Sequence, residues 1–241
     1  MKSFNDIKSC VVALSGGFDS ATVAYLAKLF LGEDNVASVT CINPHIFRYQ
    51  VYNARDIAQK LNIKWIPLFI NNMPMEFYKN DTLRCYYCKK TILEHISKIK
   101  KDLKYETILD GTKKDDLNEQ RPGLRAVKEY NIISPLLDKN FDLNYMIKSK
   151  KFFNYNKISF NKESCIATRI MEGTINKDKL TLIENIEDAL RYKYPQIRAR
   201  LYNDRILITT KSNYTFNNND KEFITNTLRY LINTKPIYFE N

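Results

Sequence analysis

Through the first 136 residues, short apolar runs alternate with stretches whose apolar positions recur at helical spacing. The runs CVVALS (10–15), NVASVTCI (35–42), KWIPLFI (64–70), ETILDG (106–111) and NIISPL (131–136) predict strands. Between them, residues 20–32, 49–62, 87–103 and 121–130 carry the helical pattern, the first stopping at Gly32. This rhythm predicts the α/β class, a doubly wound, mostly parallel sheet with helices on both faces. Ligands of such sheets sit at the carboxyl ends of the strands.

After about residue 137 the pattern changes. A lysine-rich amphipathic stretch (142–154) leads into an irregular segment around NKESCIATRIMEGT, then a helix over 177–192 that ends before Pro195. IRARLY and RILITT face each other across Asn203-Asp204 as a hairpin. The polar loop NYTFNNNDK, a helix over 219–233 and the strand PIYF complete the chain. Two domains are expected, 1–160 for the sheet and 161–241 for a smaller α+β unit.

Composition changes this picture little. The 241 residues are 44% hydrophobic and 27% charged, ordinary for a globular protein. No apolar run approaches the roughly 20 residues of a membrane span. The opening MKSFNDIKSC lacks the apolar core of a signal peptide, so a cytoplasmic location is expected. Five cysteines, an odd number, fit poorly with a complete disulfide framework. The net charge of +11 favours a polyanionic or phosphorylated partner. Its lysines are spread along the chain rather than blocked, so charge alone does not assign nucleic acid.

Chemistry enters at LSGGFDS (14–20), between the first strand and the first helix. Gly16 and Gly17 let the backbone turn and approach a ligand, Ser15 and Ser20 add hydroxyls, and the helix amino terminus favours an anion. Asp19 conflicts with a phosphate unless a cation lies between them, which Mg²⁺ carried on the phosphates supplies. The missing Gly-Lys-Ser/Thr ending excludes the kinase-type loop. LSGGFDS resembles the SGGxDS loop of the PP-loop ATP pyrophosphatases. That resemblance implies cleavage of ATP between its α and β phosphates, giving an adenylylated substrate and pyrophosphate.

A second constellation, LDGTKKDDLNEQRPGLRA (109–126), follows the fourth strand. Asp110 and Gly111 would join the ATP and Mg²⁺ site, and Asp115 and Asp116 suit Mg²⁺ or ribose hydroxyls. Arg121 and Arg125 suit phosphate or carboxylate as planar forks. Further on, Cys165 precedes Arg169 in SCIATRIMEGT, and IRARLYNDR sets Arg198 and Arg200 on one face of a strand.

The remaining thiols are Cys85 and Cys88 in RCYYCK, and Cys10 and Cys41 in predicted buried strands, where they read as core. A closed zinc clip needs four ligands, and neither His45 nor His95 comes with ligand spacing. A redox dithiol stays open, because a helix start lowers thiol pKa, with a persulfide on Cys165 as its natural relay.

Taken together, SGGxDS, DGT…DD…RPG, CIATRI…GT and RAR resemble the LarE-type sulfur transferases, which install sulfur in the nickel-pincer nucleotide, the cofactor of lactate racemase. The resemblance covers most of the chain; Met171-Glu172 replaces the usual Pro-Tyr. It implies adenylylation of a carboxylate of pyridinium-3,5-biscarboxylic acid mononucleotide, attack by sulfur, loss of AMP and a thiocarboxylate product. It implies Cys165, Asp19 and Arg121 as catalytic. It also implies Asp115, Asp116, Arg125, Arg169, Arg198 and Arg200 as substrate contacts. Family members with the extra cysteine pair hold a 4Fe-4S cluster on three thiolates, here Cys85, Cys88 and Cys165, leaving one iron open for sulfide. ATP, Mg²⁺, a sulfide or sulfur donor, handover to a nickel-inserting enzyme and a homo-oligomer follow from the same resemblance.

The nearest rival is a tRNA thiolation enzyme, which would explain the charge; no zinc-ribbon cysteines or RNA-binding appendage accompany it. Amide-forming synthetases, as for NAD or GMP, need ammonia rather than a third reactive cysteine. A non-catalytic nucleotide sensor leaves the acidic loop and the cysteines without a role.

Overall fold

The computed structural model describes residues 4, 6–118, 122–138, 141–161, 163–210, 214–232 and 235–240. They form two compact units, Met1–Phe77 with Thr82–Glu163, and Tyr78–Asp81 with Ser164–Asn241.

The first unit is built on a four-stranded sheet in the order β3-β2-β1-β4. Its strands are β1 (Cys10–Ala13), β2 (Val36–Ile42), β3 (Lys64–Phe69) and β4 (Thr107–Leu109), and every pairing is parallel. The expected α/β class is what the chain adopts. β2 lies inside the sheet and is buried along nearly its whole length. Its two polar residues are satisfied there: Ser38 Oγ donates to the Lys64 carbonyl and Thr40 Oγ1 to the Leu14 carbonyl. β3 is an edge, which explains how it tolerates Pro67, a residue without an N–H for the ladder.

The helices α1 (Phe18–Leu31), α2 (Arg48–Lys60), α3 (Arg84–Asp102), α4 (Gly123–Glu129) and α5 (Asn144–Tyr155) surround this sheet. α1 buries small residues, Ser20, Ala21, Thr22, Ala24 and Ala27, so its backbone approaches its neighbours closely. A buried hydroxyl pair, Thr22 Oγ1 and Ser149 Oγ at 3.0 Å, ties it to α5. The fifth strand expected at 131–136 does not form. Ile133 makes an isolated parallel bridge to Leu109, and Pro135, lacking an N–H, opens a 3-10 turn over Pro135–Leu137.

The second unit carries a three-stranded sheet of β5 (Ile197–Leu201), β6 (Ile206–Thr210) and β7 (Ile237–Glu240). β5 and β6 form the antiparallel hairpin, and β7 lies parallel to β6. α6 (Lys177–Arg191) buries Leu180, Ile183, Ile186 and Leu190, one stripe at helical spacing. α7 (Asn218–Leu228) starts with a reciprocal capping box between Asn217 and Asp220. It ends earlier than the expected 233, because Leu231 and Ile232 turn back to bond the Leu228 carbonyl. Residues 78–81 join this unit through Asn80, whose side chain donates to the Ile170 and Gly173 carbonyls. Among the described residues no helix is long and apolar enough to cross a membrane.

Candidate active site

The loop from Ser15 to Ser20 joins β1 to α1 at the carboxyl end of the sheet. Gly16 has a φ of +82°, and a Cβ there would lie 2.2 Å from the Gln50 carbonyl oxygen, so the turn requires glycine. The loop is closed by its own serines. The Ser15 N–H donates to Ser20 Oγ at 3.2 Å, the two hydroxyls stand 3.0 Å apart, and Ser20 Oγ donates to the Gly17 carbonyl. Asn53 Nδ2 donates to the Gly16 carbonyl at 2.7 Å and fixes that peptide. Among the described residues no side chain caps α1 at Gly17, whereas Asn176 and Asn217 cap α6 and α7. The amino terminus of α1 is thus left for a ligand, and its dipole favours an anion.

The loop after β4 is pressed against this turn. A Cβ on Gly111 would lie 2.6 Å from Ser20 N, so glycine again permits the approach. Asp110, buried beneath, accepts from Thr112 N–H and Oγ1, from Ser134 Oγ at 2.6 Å and from Lys89 Nζ at 3.2 Å. Burial opposes its ionisation, but Lys89 and the Ser134 and Thr112 hydrogen bonds hold its carboxyl below the usual range. Both of its oxygens organise the loop at the wall of the cavity where ATP and Mg²⁺ are expected.

Between these loops opens a cavity of about 1000 Å³. Ser15, Gly17, Asp19, Ser20, Asp110, Gly111, Asp115 and Asp116 all line it, so the two constellations, some 90 residues apart in sequence, form one site. Gly16 faces a smaller neighbouring cavity with Tyr49, Tyr52 and Asn53. Asp116 is buried and accepts from the Lys113 N–H at 3.0 Å. Four lysines also line the large cavity: Lys89 and Lys113, which lie within RCYYCK and DGTKKDD but were given no role there, and Lys150 and Lys157. In so lysine-rich a chain nothing in the sequence distinguished them. Lys113 Nζ stands 3.0 Å from Asp19 Oδ2.

Arg125 does not line the cavity. Its guanidinium stacks 4.6 Å from the Tyr86 ring centroid and pairs with Glu129 at 2.8 Å, two-thirds exposed. Arg121 lies outside the described residues.

α3 begins before the cysteine pair, at Arg84, so Cys85 and Cys88 sit one turn apart in its opening turns. Cys85 is exposed and Cys88 half-buried. Tyr86 between them is core, its hydroxyl donating to Glu129 Oε2 at 2.9 Å. His45, on the loop after β2, brings Nε2 to 3.2 Å from Cys88 Sγ, and burial lowers its pKa to about 4. His95 bonds the Thr91 carbonyl through Nδ1. Among the described residues no group of three or more His, Cys, Asp and Glu side chains is arranged to hold a metal ion. The pair supplies two thiols at i and i+3 on a helix start, donors of the type that iron–sulfur clusters use. Burial pushes Cys10 up to about 12 and Cys41 to about 11, as befits core residues.

In the second unit, Cys165 is half-buried and precedes the 3-10 turn Ile166–Arg169. Thr168 Oγ1 donates to its carbonyl at 2.7 Å. Arg169 is buried: it is 2% exposed, with Nε 2.9 Å from Glu187 Oε1 and Nη1 2.6 Å from Ser164 Oγ. A buried guanidinium needs a buried carboxylate, and this pair holds the segment around Cys165. Arg198 and Arg200 share the less buried face of β5, opposite Ile197, Ala199 and Leu201.

Residues 2–97 match the family model described as NAD synthase. The chain is 34% identical to an uncharacterized protein of Methanocaldococcus jannaschii over 90% of this chain and 83% of that one. It is 30% identical to the pyridinium-3,5-bisthiocarboxylic acid mononucleotide synthase of Lactiplantibacillus plantarum, over 84% of this chain and 74% of the synthase. The NH(3)-dependent NAD(+) synthetase of Thermococcus sibiricus is 33% identical over 32% of this chain and 29% of the synthetase. With its uncapped phosphate loop and an identity sustained across both units, the chain belongs to the LarE-type family of ATP-utilising PP-loop enzymes, that of the pyridinium-3,5-bisthiocarboxylic acid mononucleotide synthase.

Proposed function

We propose that the protein is an ATP-dependent sulfur transferase acting on pyridinium-3,5-biscarboxylic acid mononucleotide. The observation that carries this reading is Lys89. It follows Cys88 on α3, pairs with Asp110 and lines the large cavity beside it, which supports one helix serving both the thiols and the proposed ATP site.

A substrate carboxylate oxygen attacks the α-phosphorus, the α–β bridging bond breaks and pyrophosphate leaves, giving an acyl adenylate. A sulfur nucleophile attacks the activated carbonyl, AMP departs and a thiocarboxylate remains. The Ser15–Ser20 loop and the amino terminus of α1 hold phosphate, Asp19 would hold Mg²⁺, and Asp115 and Asp116 offer carboxylates to Mg²⁺ or ribose. Arg198, Arg200 and Arg121 are the proposed anion contacts of the substrate. Cys85, Cys88 and Cys165 are the thiolates that would hold a 4Fe-4S cluster. When bound, such a cluster supplies an iron without a protein ligand, where sulfide can reside.

Iron and acid-labile sulfide are to be measured on anaerobically reconstituted protein, alongside pyrophosphate release with the biscarboxylate substrate. About four irons per chain are expected, lost in Cys85→Ala. Asp19→Asn should abolish pyrophosphate release, and Cys165→Ala should spare it while stopping sulfur transfer. Iron-free protein after reconstitution overturns the cluster. The match of residues 2–97 to NAD synthase favours a second reading, amide formation. Ammonia-driven turnover that survives Cys165→Ala would establish it instead.

A further inference from the structure

Asp19 and Lys113 are brought together by two glycine-dependent contacts rather than by sequence. Gly16 shapes the turn before Asp19, and Gly111 lets the loop after β4 lie on the backbone of residues 19 and 20. Lys113 is then fixed at its backbone, its N–H donating to Asp116 Oδ2 and its carbonyl accepting from the Asp116 N–H, both at 3.0 Å. Its side chain is free to point elsewhere, and it crosses the cavity wall to Asp19 Oδ2 at 3.0 Å.

A carboxylate beside an anion site carries a cost unless a cation accompanies it. Lys113 is that cation here. A divalent metal carried on phosphates would need the same carboxylate. An ammonium displaced from Asp19 remains on a flexible stem in the same cavity, next to the phosphates that displaced it.

We propose that Lys113 is a resident counter-ion of Asp19 that yields its place to the nucleotide-bound divalent metal and moves onto the departing pyrophosphate. The inference rests on the ATP reading above. It assigns Lys113 two opposed effects. It competes with metal in the resting site, and it neutralises the oxygen charge that develops as the α–β bond breaks.

The test uses full-length protein, Lys113→Met and Lys113→Arg. Binding of Mn²⁺ together with α,β-methylene-ATP, which is not cleaved, is followed by calorimetry. Pyrophosphate release from Mg²⁺·ATP is measured in parallel. Lys113→Met should lower the half-saturating Mn²⁺ concentration several-fold, and should slow pyrophosphate release at least about tenfold. Lys113→Arg should recover part of the rate, as a charge-retaining variant. Half-saturating Mn²⁺ that is unchanged or raised in Lys113→Met overturns the exchange, and an unaltered rate overturns the role on pyrophosphate. Wild-type protein that neither binds the analogue nor releases pyrophosphate overturns the ATP reading together with this inference. That result differs from either single failure.

Discussion

His45 Nε2 stands 3.2 Å from Cys88 Sγ across 43 residues of sequence. The ring is 2% exposed, packs 4.5 Å from the Phe77 ring centroid, and receives support from its own turn, where its N–H donates to Asn43 Oδ1. It is a neutral imidazole built into the protein beside one thiol of the pair.

Acid stability should report this ring. Burial lowers the His45 pKa from 6.5 to about 4, so the unfolded chain takes up a proton that the folded protein refuses. The associated stability is fully present above about pH 6.5 and is lost as pH falls toward 4, about 3 kcal/mol in all. Urea unfolding of metal-free protein at pH 7, 5.5 and 4.5 should show a steeper acid loss in wild type than in His45→Gln. Parallel pH dependences would contradict the buried, unprotonated ring.

Gly111→Ala should separate the two loops of the site. Its Cβ would meet Ser20 N at 2.6 Å and the Asp19 carbonyl carbon at 2.8 Å, backbone atoms that cannot yield by a rotamer change. A stability loss of about 1–3 kcal/mol is expected, with pyrophosphate release down at least tenfold. Gly17→Ala offers a steric contrast, since its Cβ would meet only Ser15 Oγ at 3.5 Å. Chemical denaturation of both variants decides whether the wedge exists.

Glu187 is fully buried and accepts from Arg169 Nε, Arg191 Nη2 and the Ala199 N–H. Removing it in Glu187→Ala takes the buried carboxylate from two guanidinium groups, and a loss of about 3–5 kcal/mol is expected by denaturant unfolding. A loss below about 1 kcal/mol would show that the guanidinium groups reach water or other acceptors instead.

The five thiols should separate in reactivity. Cys85 is exposed at a helix start, so it should be the first alkylated by iodoacetamide at pH 8 in reduced, metal-free protein, as read by peptide mass mapping. Cys10 and Cys41, buried and with pKa values raised to about 12 and 11, should react only after unfolding. Early labelling of Cys10 would mean that β1 opens locally.

Arg125→Ala should leave the substrate KM within about twofold and the unfolding midpoint close to that of wild type, because an exposed i,i+4 pair contributes little. A large rise in KM would return Arg125 to the site.

The sequence by itself determined the alternation of strands and helices, because burial of continuous apolar runs and helical stripes is a local pattern. It also determined the phosphate loop, because Gly16 and Ser20 act within a few residues of each other. Both cysteines of the pair were visible for the same reason. What only the tertiary structure decided involves residues whose meaning depends on a distant partner. Lys113 is one lysine among many until Gly111 lays its loop on Asp19. His45 lacks ligand spacing yet meets Cys88 because the end of β2 and the start of α3 converge. Arg169 reads in sequence as a ligand for anions, and Glu187 claims it in the buried interior. Periodicity registers which side a residue faces, but a charged pair is chosen by proximity in space, where the cost of an unpaired buried charge selects the partner.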